Sequence, residues 1–261
     1  MMSLNIAATG MLAQQLNVEV ISNNIANMNT TGFKRQRPHF QDLLYQHLRR
    51  VGATSSDTGT VVPAGVQVGL GVKTAAVYMI PEQGSLTSTD NTLDMAINGR
   101  GFFQVELPSG ETAYTRAGSF QLSPTGQVVT ADGFPVLPAI TIPPNSTDIS
   151  INSSGEVLVR VAGQVAQQNV GQFQLATFAN PAGLEPQGDN LFLETAASGA
   201  ATTGNPGNAG YGQLVQGFVE RSNVNTVTEI TDLIAAQRAY EMNAKLIDAA
   251  NQMLSALGQM G

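Results

Sequence analysis

The chain has 261 residues, of which 42% are hydrophobic and only 12% charged, with a formal net charge of −7. That length and apolar content suffice for one large or two moderate domains with a real core, and the acidic balance argues against a nucleic-acid surface, which relies on clustered Lys and Arg. With no cysteine there is no disulfide framework, thiolate chemistry or Cys-based metal site. No apolar run approaches the roughly 20 residues of a membrane span, so no membrane insertion is expected. A typical chain carries about a quarter charged residues. The shortfall here means that much of the surface is uncharged and polar or is buried between subunits.

The first predicted element is a helix. Leu4, Ala7, Met11, Gln14, Val18, Ile21, Ile25 and Met28 follow a 3,4 spacing in which Gln14 is the one polar member, the pattern of a coiled-coil seam. Ile6, Ala13, Leu16 and Val20 lie off that seam, and Glu19 is the one charged residue before Lys34. A helix apolar on more than one side wants several neighbours. It should end near Asn29-Thr30-Thr31-Gly32, where glycine accepts a left-handed cap. The opening MMSLNIAATG has no basic region ahead of a continuous apolar stretch, so a cleavable secretory signal is not expected.

Beyond Gly32, the spacing of His39, Phe40, Leu43, Leu44, His47 and Leu48 predicts a short helix over 38–48. The two histidines would share a face of it with Asp42, too few ligands for a metal, and read as ordinary partly buried residues. Lys34, Arg35, Arg37, Arg49 and Arg50 form a sparse basic cluster, read as a solvated or intersubunit face. Residues 51–71 are rich in Gly, Ser and Thr without Lys or Arg, and alternate apolar residues only at Val66, Val68, Leu70 and Val72. An extended arm leading into a strand follows.

The centre is a train of short strands separated by Asn98-Gly99, Pro124-Thr125-Gly126, Asp132-Gly133, Ser154-Gly155 and Gly188-Asp189-Asn190, each with a residue that tolerates positive φ. The best strands are Phe102, Phe103 and Val105, then 127–129, 156–161, 172–178 and 191–194. Gly99-Arg100-Gly101 begins like a dinucleotide loop, but Gln104 stands at the third glycine position and Phe102-Phe103 continue a strand, so a hairpin turn is expected. Asp90, Asn91 and Asp94 lack the spacing and glycine of a calcium loop. Asn145-Ser146-Thr147 matches a glycosylation acceptor, which matters only in a eukaryotic secretory context. Residues 196–212 read as a flexible return path and 214–220 as one more strand.

The last element is a helix with two rows. Ile230, Leu233, Gln237, Tyr240, Ala244, Ile247, Asn251 and Leu254 form one; Ala235, Ala239, Met242, Leu246, Ala249, Met253 and Ala256 form another without a polar member. One interface needs one apolar stripe about 100° wide, so two rows point to contacts on two sides. The bland alternative is that the terminal helices pack only on each other and on the β core of a monomer. Because isolated helices are marginal in water, the ends are expected to gain full order when several copies meet. The fold class expected is α+β: terminal helices in a coiled-coil-like domain, with a mainly β middle of sandwich or irregular-barrel type.

These residues also carry a resemblance. The stretch SNNIANMNTTGFKR at 22–35 is similar to the N-terminal signature of the bacterial flagellar rod and hook protein family. INGRGFFQV at 97–105, YTRAGSFQLSPTGQVVTADGFPVL at 114–137 and SNVNTVTEITDLIAAQRAYEMNAK at 222–245 resemble its other shared blocks, in the expected order. The chain has no room for the additional outer domain of hook members. The arm at about 46–65, DLLYQ at 42–46 and PAITIP at 138–143 resemble the distal rod branch, with the proximal rod branch the nearest rival.

The resemblance implies a structural subunit, not an enzyme, that polymerises helically with copies of itself into a hollow, stiff rod and transmits torque to the hook. It implies a terminal tube-lining domain from 1–31 and 224–261, a connecting β-rich domain from 32–80 and 200–223 that bears the arm, and an outer β domain over 81–199. The subunit-interface residues would be Leu4, Met11, Val18, Ile21, Ile25, Met28, Ile230, Leu233, Tyr240, Met242, Leu246, Ile247, Met253 and Leu254. Implied partners are proximal rod and hook proteins at the two ends and P-ring and L-ring proteins around the shaft, in a periplasm-spanning basal body reached by type III export without a cleaved signal. No cofactor, metal or nucleic acid is implied. A secreted β-rich enzyme is disfavoured by the scarcity of His, Cys and clustered carboxylates, and a free binding module or adhesin leaves the two apolar ends unexplained.

Overall fold

The computed structural model describes residues 2–49, 65–163 and 166–259. Its contacts fall into two compact units, one made of residues 1–25, 36–78 and 226–261, the other of 26–35 and 79–225.

The first unit contains helices α1 (Met2–Ala26) and α2 (Thr226–Gln259) and strands β1 (Gln36–Asp42), β2 (Tyr45–Arg49), β3 (Val66–Gly69) and β4 (Val72–Met79). Strand β1 pairs with β4 and β2 with β3, each as a two-stranded sheet. The expected helix over 38–48 is therefore absent, because its short apolar run fits either period and pairing with β3 and β4 decides for strands. Pro38, tolerated at the first position of a helix, is equally tolerated on an edge strand. Gln36, Pro38 and Phe40 alternate in exposure with Arg37, His39 and Gln41, the period of a strand. His39 and His47 consequently sit on different strands and both are exposed, a correction to the shared, partly buried face. Gly71, at φ 120°, lies against α1: Thr9 Oγ1 fills the position a Cβ would take there and accepts the Val72 amide at 3.4 Å. The expected arm falls mainly on residues 50–64, outside the described residues. Its flanks are the paired strands β2 and β3, with Tyr45 opposite Gly69 and His47 opposite Gln67.

In the second unit, β5 (Leu86–Ser88), β6 (Met95–Asn98), β7 (Phe102–Glu106), β8 (Thr112–Thr115), β9 (Gln121–Leu122), β10 (Val128–Val129), β11 (Val136–Leu137), β12 (Ser146–Ile151), β13 (Glu156–Val161) and β14 (Gln168–Gln172) come first. Then follow β15 (Leu175–Thr177), β16 (Glu185–Gly188), β17 (Leu191–Leu193), β18 (Thr202–Gly204), β19 (Gln213–Gln216) and β20 (Phe218–Glu220). The largest sheet has the order β16-β17-β8-β7-β15-β18 with β11 added on β7, and β12-β13-β14 form a second sheet. Neither closes into a barrel.

Successive residues of a strand face opposite sides of its sheet. Phe103 and Leu175 therefore enter one core with Phe120, Val157, Val159 and Phe173, while Phe102 and Ala176 enter another with Tyr114, Leu184 and Phe192. Covering both faces explains why β7 reads as a continuous buried run rather than an alternating one. Gly99-Arg100-Gly101 joins strands of two different sheets, since β6 pairs with β19, and is a connecting turn rather than the expected hairpin. Residues 196–212 are not a loose return either: Ser198 is fully buried and β18 pairs with β15. The run 214–220 is two strands split at Gly217, whose φ is 75°.

Candidate assembly surfaces

The helices α1 and α2 pack through small residues. Ala7, Ala13, Val20, Ile21 and Asn24 are buried on α1, and Glu229, Ala236 and Ala250 on α2. A Cβ at Gly10 would lie 3.0 Å from Asn243 Nδ2, so glycine is what allows this approach. Asn24 Nδ2 donates to Glu229 Oε2 at 3.1 Å and to the Gln36 carbonyl at 2.9 Å, and its Oδ1 accepts the Gln36 amide at 2.9 Å. The steps from Gly10 to Asn24 and from Asn243 back to Glu229 are equal, so the helices run antiparallel. A buried polar pair on an otherwise apolar seam penalises every shifted register. Glu229 also sits in the first turn of α2, where a carboxylate complements the helix dipole.

This seam is narrow, and it sorts the predicted interface residues into three groups. Ile21 is buried at 5% exposure; Leu4, Met11, Val18, Ile25, Leu233 and Ile247 are half-buried. Met28 lies in the turn beyond the end of α1, half-buried, so it does not continue the helical row. Ile230, Tyr240, Met242, Leu246, Met253 and Leu254 are exposed, as is Ala249. Met242, Leu246, Ala249 and Met253 repeat at 4,3,4 spacing and form a continuous apolar stripe off the packed face.

In the second unit, one carboxylate ties distant stretches of chain together. Glu220, with no exposed side-chain surface, receives Lys34 Nζ on Oε1 at 2.5 Å and Arg116 Nε on Oε2 at 2.9 Å. Its Oε1 also accepts the Gly84 amide, and its backbone carbonyl accepts the amide of Gly32, which stands at φ 71°. Arg116 Nη1 donates to the carbonyls of Gly99 at 2.9 Å and Gly101 at 2.6 Å, and Lys34 Nζ to that of Glu82 at 2.7 Å. Burial lowers the Lys34 pKa; the Arg116 charge adds to the shift and Glu220 opposes it. Lys34 thus belongs to the interior, a correction to the solvated or intersubunit reading of the basic cluster. Sequence spacing hides this triad, although Arg116 after Ala113-Tyr114 and Glu220 after Phe218-Val219 are lone charges closing apolar strand runs.

Among the described residues, no group of three or more His, Asp and Glu side chains is placed to hold a metal, and no helix is long and apolar enough to cross a membrane.

Three family models match the chain: the flagella basal body rod protein at residues 4–34, the flagellar hook protein FlgE/F/G D1 domain at 96–159, and the flagellar basal body rod FlgEFG protein C-terminal region at 215–260. The chain is 62% identical to the flagellar basal-body rod protein FlgG of Caulobacter vibrioides, covering all of this chain and 99% of that one. It is 52% identical to the FlgG of Agrobacterium fabrum, over 98% of this chain and 97% of that one. The FlgG of Bacillus subtilis is 40% identical, over 98% and 97% of the two chains. Identity at this level along the whole length, with the rod and hook models matching both terminal helices and the β core, shows that the chain belongs to the FlgG family of flagellar basal-body rod proteins.

Proposed function

We propose that the chain is the structural subunit that polymerises helically into the hollow, stiff distal rod of the bacterial flagellum and transmits torque to the hook. The observation that carries this reading is the stripe of Met242, Leu246, Ala249 and Met253, which a single copy leaves in water. Burying a Leu or Met side chain is worth about 1.5–3 kcal/mol, and a helical polymer collects that gain at every repeat. In this reading the segments 1–31 and 224–261 line the tube, 32–80 with 200–223 connect, and 81–199 face outwards. Proximal rod and hook proteins are the neighbours at the two ends, and P-ring and L-ring proteins surround the shaft in the periplasm. Export proceeds through the flagellar type III route without a cleaved signal. The chain does no catalysis in this role.

Amide hydrogen exchange over residues 4–28 and 230–257 tests the reading. Slow exchange in assembled material and fast exchange in dilute protein are expected, because the small-residue seam alone leaves much of α2 in water. Full protection already present in dilute protein would favour a self-contained binding module.

The arm between β2 and β3 has a separate role in this proposal, wedging between neighbours to stiffen the tube. Leu44, Tyr45, Leu48 and Val66 at its base are exposed and apolar, which supports an intersubunit contact. Deleting 51–60 is expected to leave polymerisation intact and to increase curvature in electron micrographs. Rods as straight as those of the unaltered chain would remove the arm from the stiffening.

A further inference from the structure

A cleft of about 350 Å³ opens in the second unit, and it is lined by three cations, Lys34, Arg100 and Arg116. Met79, Pro81, Phe102 and Phe178 supply apolar walls, and Glu82 and Thr177 complete the polar lining. Phe178 meets Phe102 and Tyr114 edge to face at 5.8 and 4.8 Å between ring centres, and the Arg116 guanidinium lies 5.9 Å from the Phe102 ring centre.

Among the described residues Glu220 is the one carboxylate bonded to Lys34 and Arg116, so the buried cluster sets two cationic side chains against one carboxylate. Glu82, also in the lining, has its side chain 70% exposed and pairs with Arg35 at 3.7 Å. Arg100 is exposed, and its guanidinium makes no hydrogen bond or ion pair among the described residues. Three of the chain's 12 Lys and Arg side chains thus converge on one cleft of a protein that carries 19 Asp and Glu. A cation in low dielectric attracts an opposite charge strongly, and a wall of rings selects an anion with apolar flanks over a bare inorganic one.

We infer that this cleft is a socket for an Asp or Glu side chain, carried on an apolar-flanked segment of a second copy of this chain. The complementarity decides the occupant: the site is locally cationic, the rest of the molecule is acidic, and every added subunit brings both halves of the contact. The inference rests on the rod reading, because it needs copies held side by side.

The test uses Arg100→Lys, which keeps the charge at an exposed position outside the Lys34–Glu220–Arg116 triad, in full-length chain assembled into polymer. A carbodiimide, which joins an amine to a carboxylate in direct contact, is expected to link the introduced amine to an Asp or Glu of a neighbouring copy, located by mass spectrometry of the digest. Arg100→Glu is expected to raise the critical concentration for assembly about tenfold, with a weaker salt dependence than the unaltered chain. Normal polymers of Arg100→Lys without any intermolecular link at this position would overturn the inference and leave the rod reading standing. Failure of the unaltered chain to polymerise would remove both. Benzoate serves as the small-molecule probe: inhibition of assembly at concentrations that fill the cleft supports the socket, whereas tight binding with assembly unchanged would make it a small-carboxylate site and overturn the inference.

Discussion

Replacing Glu220 with alanine is expected to lower the stability of the second unit by about 3–5 kcal/mol, the usual cost of removing one partner from a buried ion pair. The cause is the charge left behind. Lys34 and Arg116, at 4% and 5% exposure, would have no other bonded carboxylate among the described residues, and the Gly84 amide would lose its acceptor. Glu220→Gln keeps the shape but not the charge, so it belongs in the same series and should lose most of the same stability. Glu82→Gln provides the contrast: its partner Arg35 is 3.7 Å away and its own side chain is 70% exposed. An exposed pair of that kind is worth about 0–1 kcal/mol. Chemical denaturation followed by near-ultraviolet circular dichroism reads all three. A loss below about 1 kcal/mol for Glu220→Ala would mean that the triad is not the anchor its geometry describes.

Leu246→Asp is expected to leave the single chain folded and to abolish assembly at ordinary concentrations. Leu246 is 59% exposed in the middle of the α2 stripe, so the change costs the free subunit little beyond the lower helix propensity of aspartate, about half a kcal/mol. In a polymer the same position is a repeated loss. Forfeiting about 1.5–3 kcal/mol of burial at each contact raises the critical concentration by roughly 10-fold to 100-fold, before the cost of placing a carboxylate there is added. Sedimentation of the variant beside the unaltered chain decides the matter. Polymers at an unchanged critical concentration would exclude the stripe from the interface. Ile21→Asp is a poorer probe, because at 5% exposure it would damage the α1–α2 pair itself and so confuse unfolding with failure to assemble.

Local chemistry was the legible part of the fold. Each of the five turn signals places a residue at positive φ: Gly99 at 113°, Gly126 at 81°, Gly133 at 87°, Gly155 at 82°, and Gly188, Asp189 and Asn190 at 100°, 52° and 60°. Those conformations follow from the residues themselves. Both terminal helices follow from apolar periodicity sustained over many turns.

The segment 38–48 failed because short apolar runs fit either period, and pairing with strands at 66–79 decides between them. Residues 196–212 failed for a related reason: their small polar composition conceals Ser198, whose hydroxyl accepts the Thr195 amide and donates to backbone carbonyls in the interior. At the candidate assembly surfaces, the apolar rows were visible, but not which row closes on the partner helix. That choice falls to Gly10, Ala13 and Ala236, whose value lies in being small. The Glu220 triad was hidden because its members are brought together by tertiary structure from stretches far apart in the chain.

The same distance has a consequence for the order of folding. The second unit cannot neutralise Lys34 and Arg116 until Glu220 has emerged, and α1, bonded to Gln36 and Val72, lacks its partner helix until α2 follows it. Contacts of such long sequence separation form late, after the loop-closure entropy has been met. A partial chain therefore lacks the counter-charge of its β unit and the partner helix of α1, while the residues of both apolar cores are already present. The charge triad and the antiparallel helix pair thus close only when the last segments of the chain are in place.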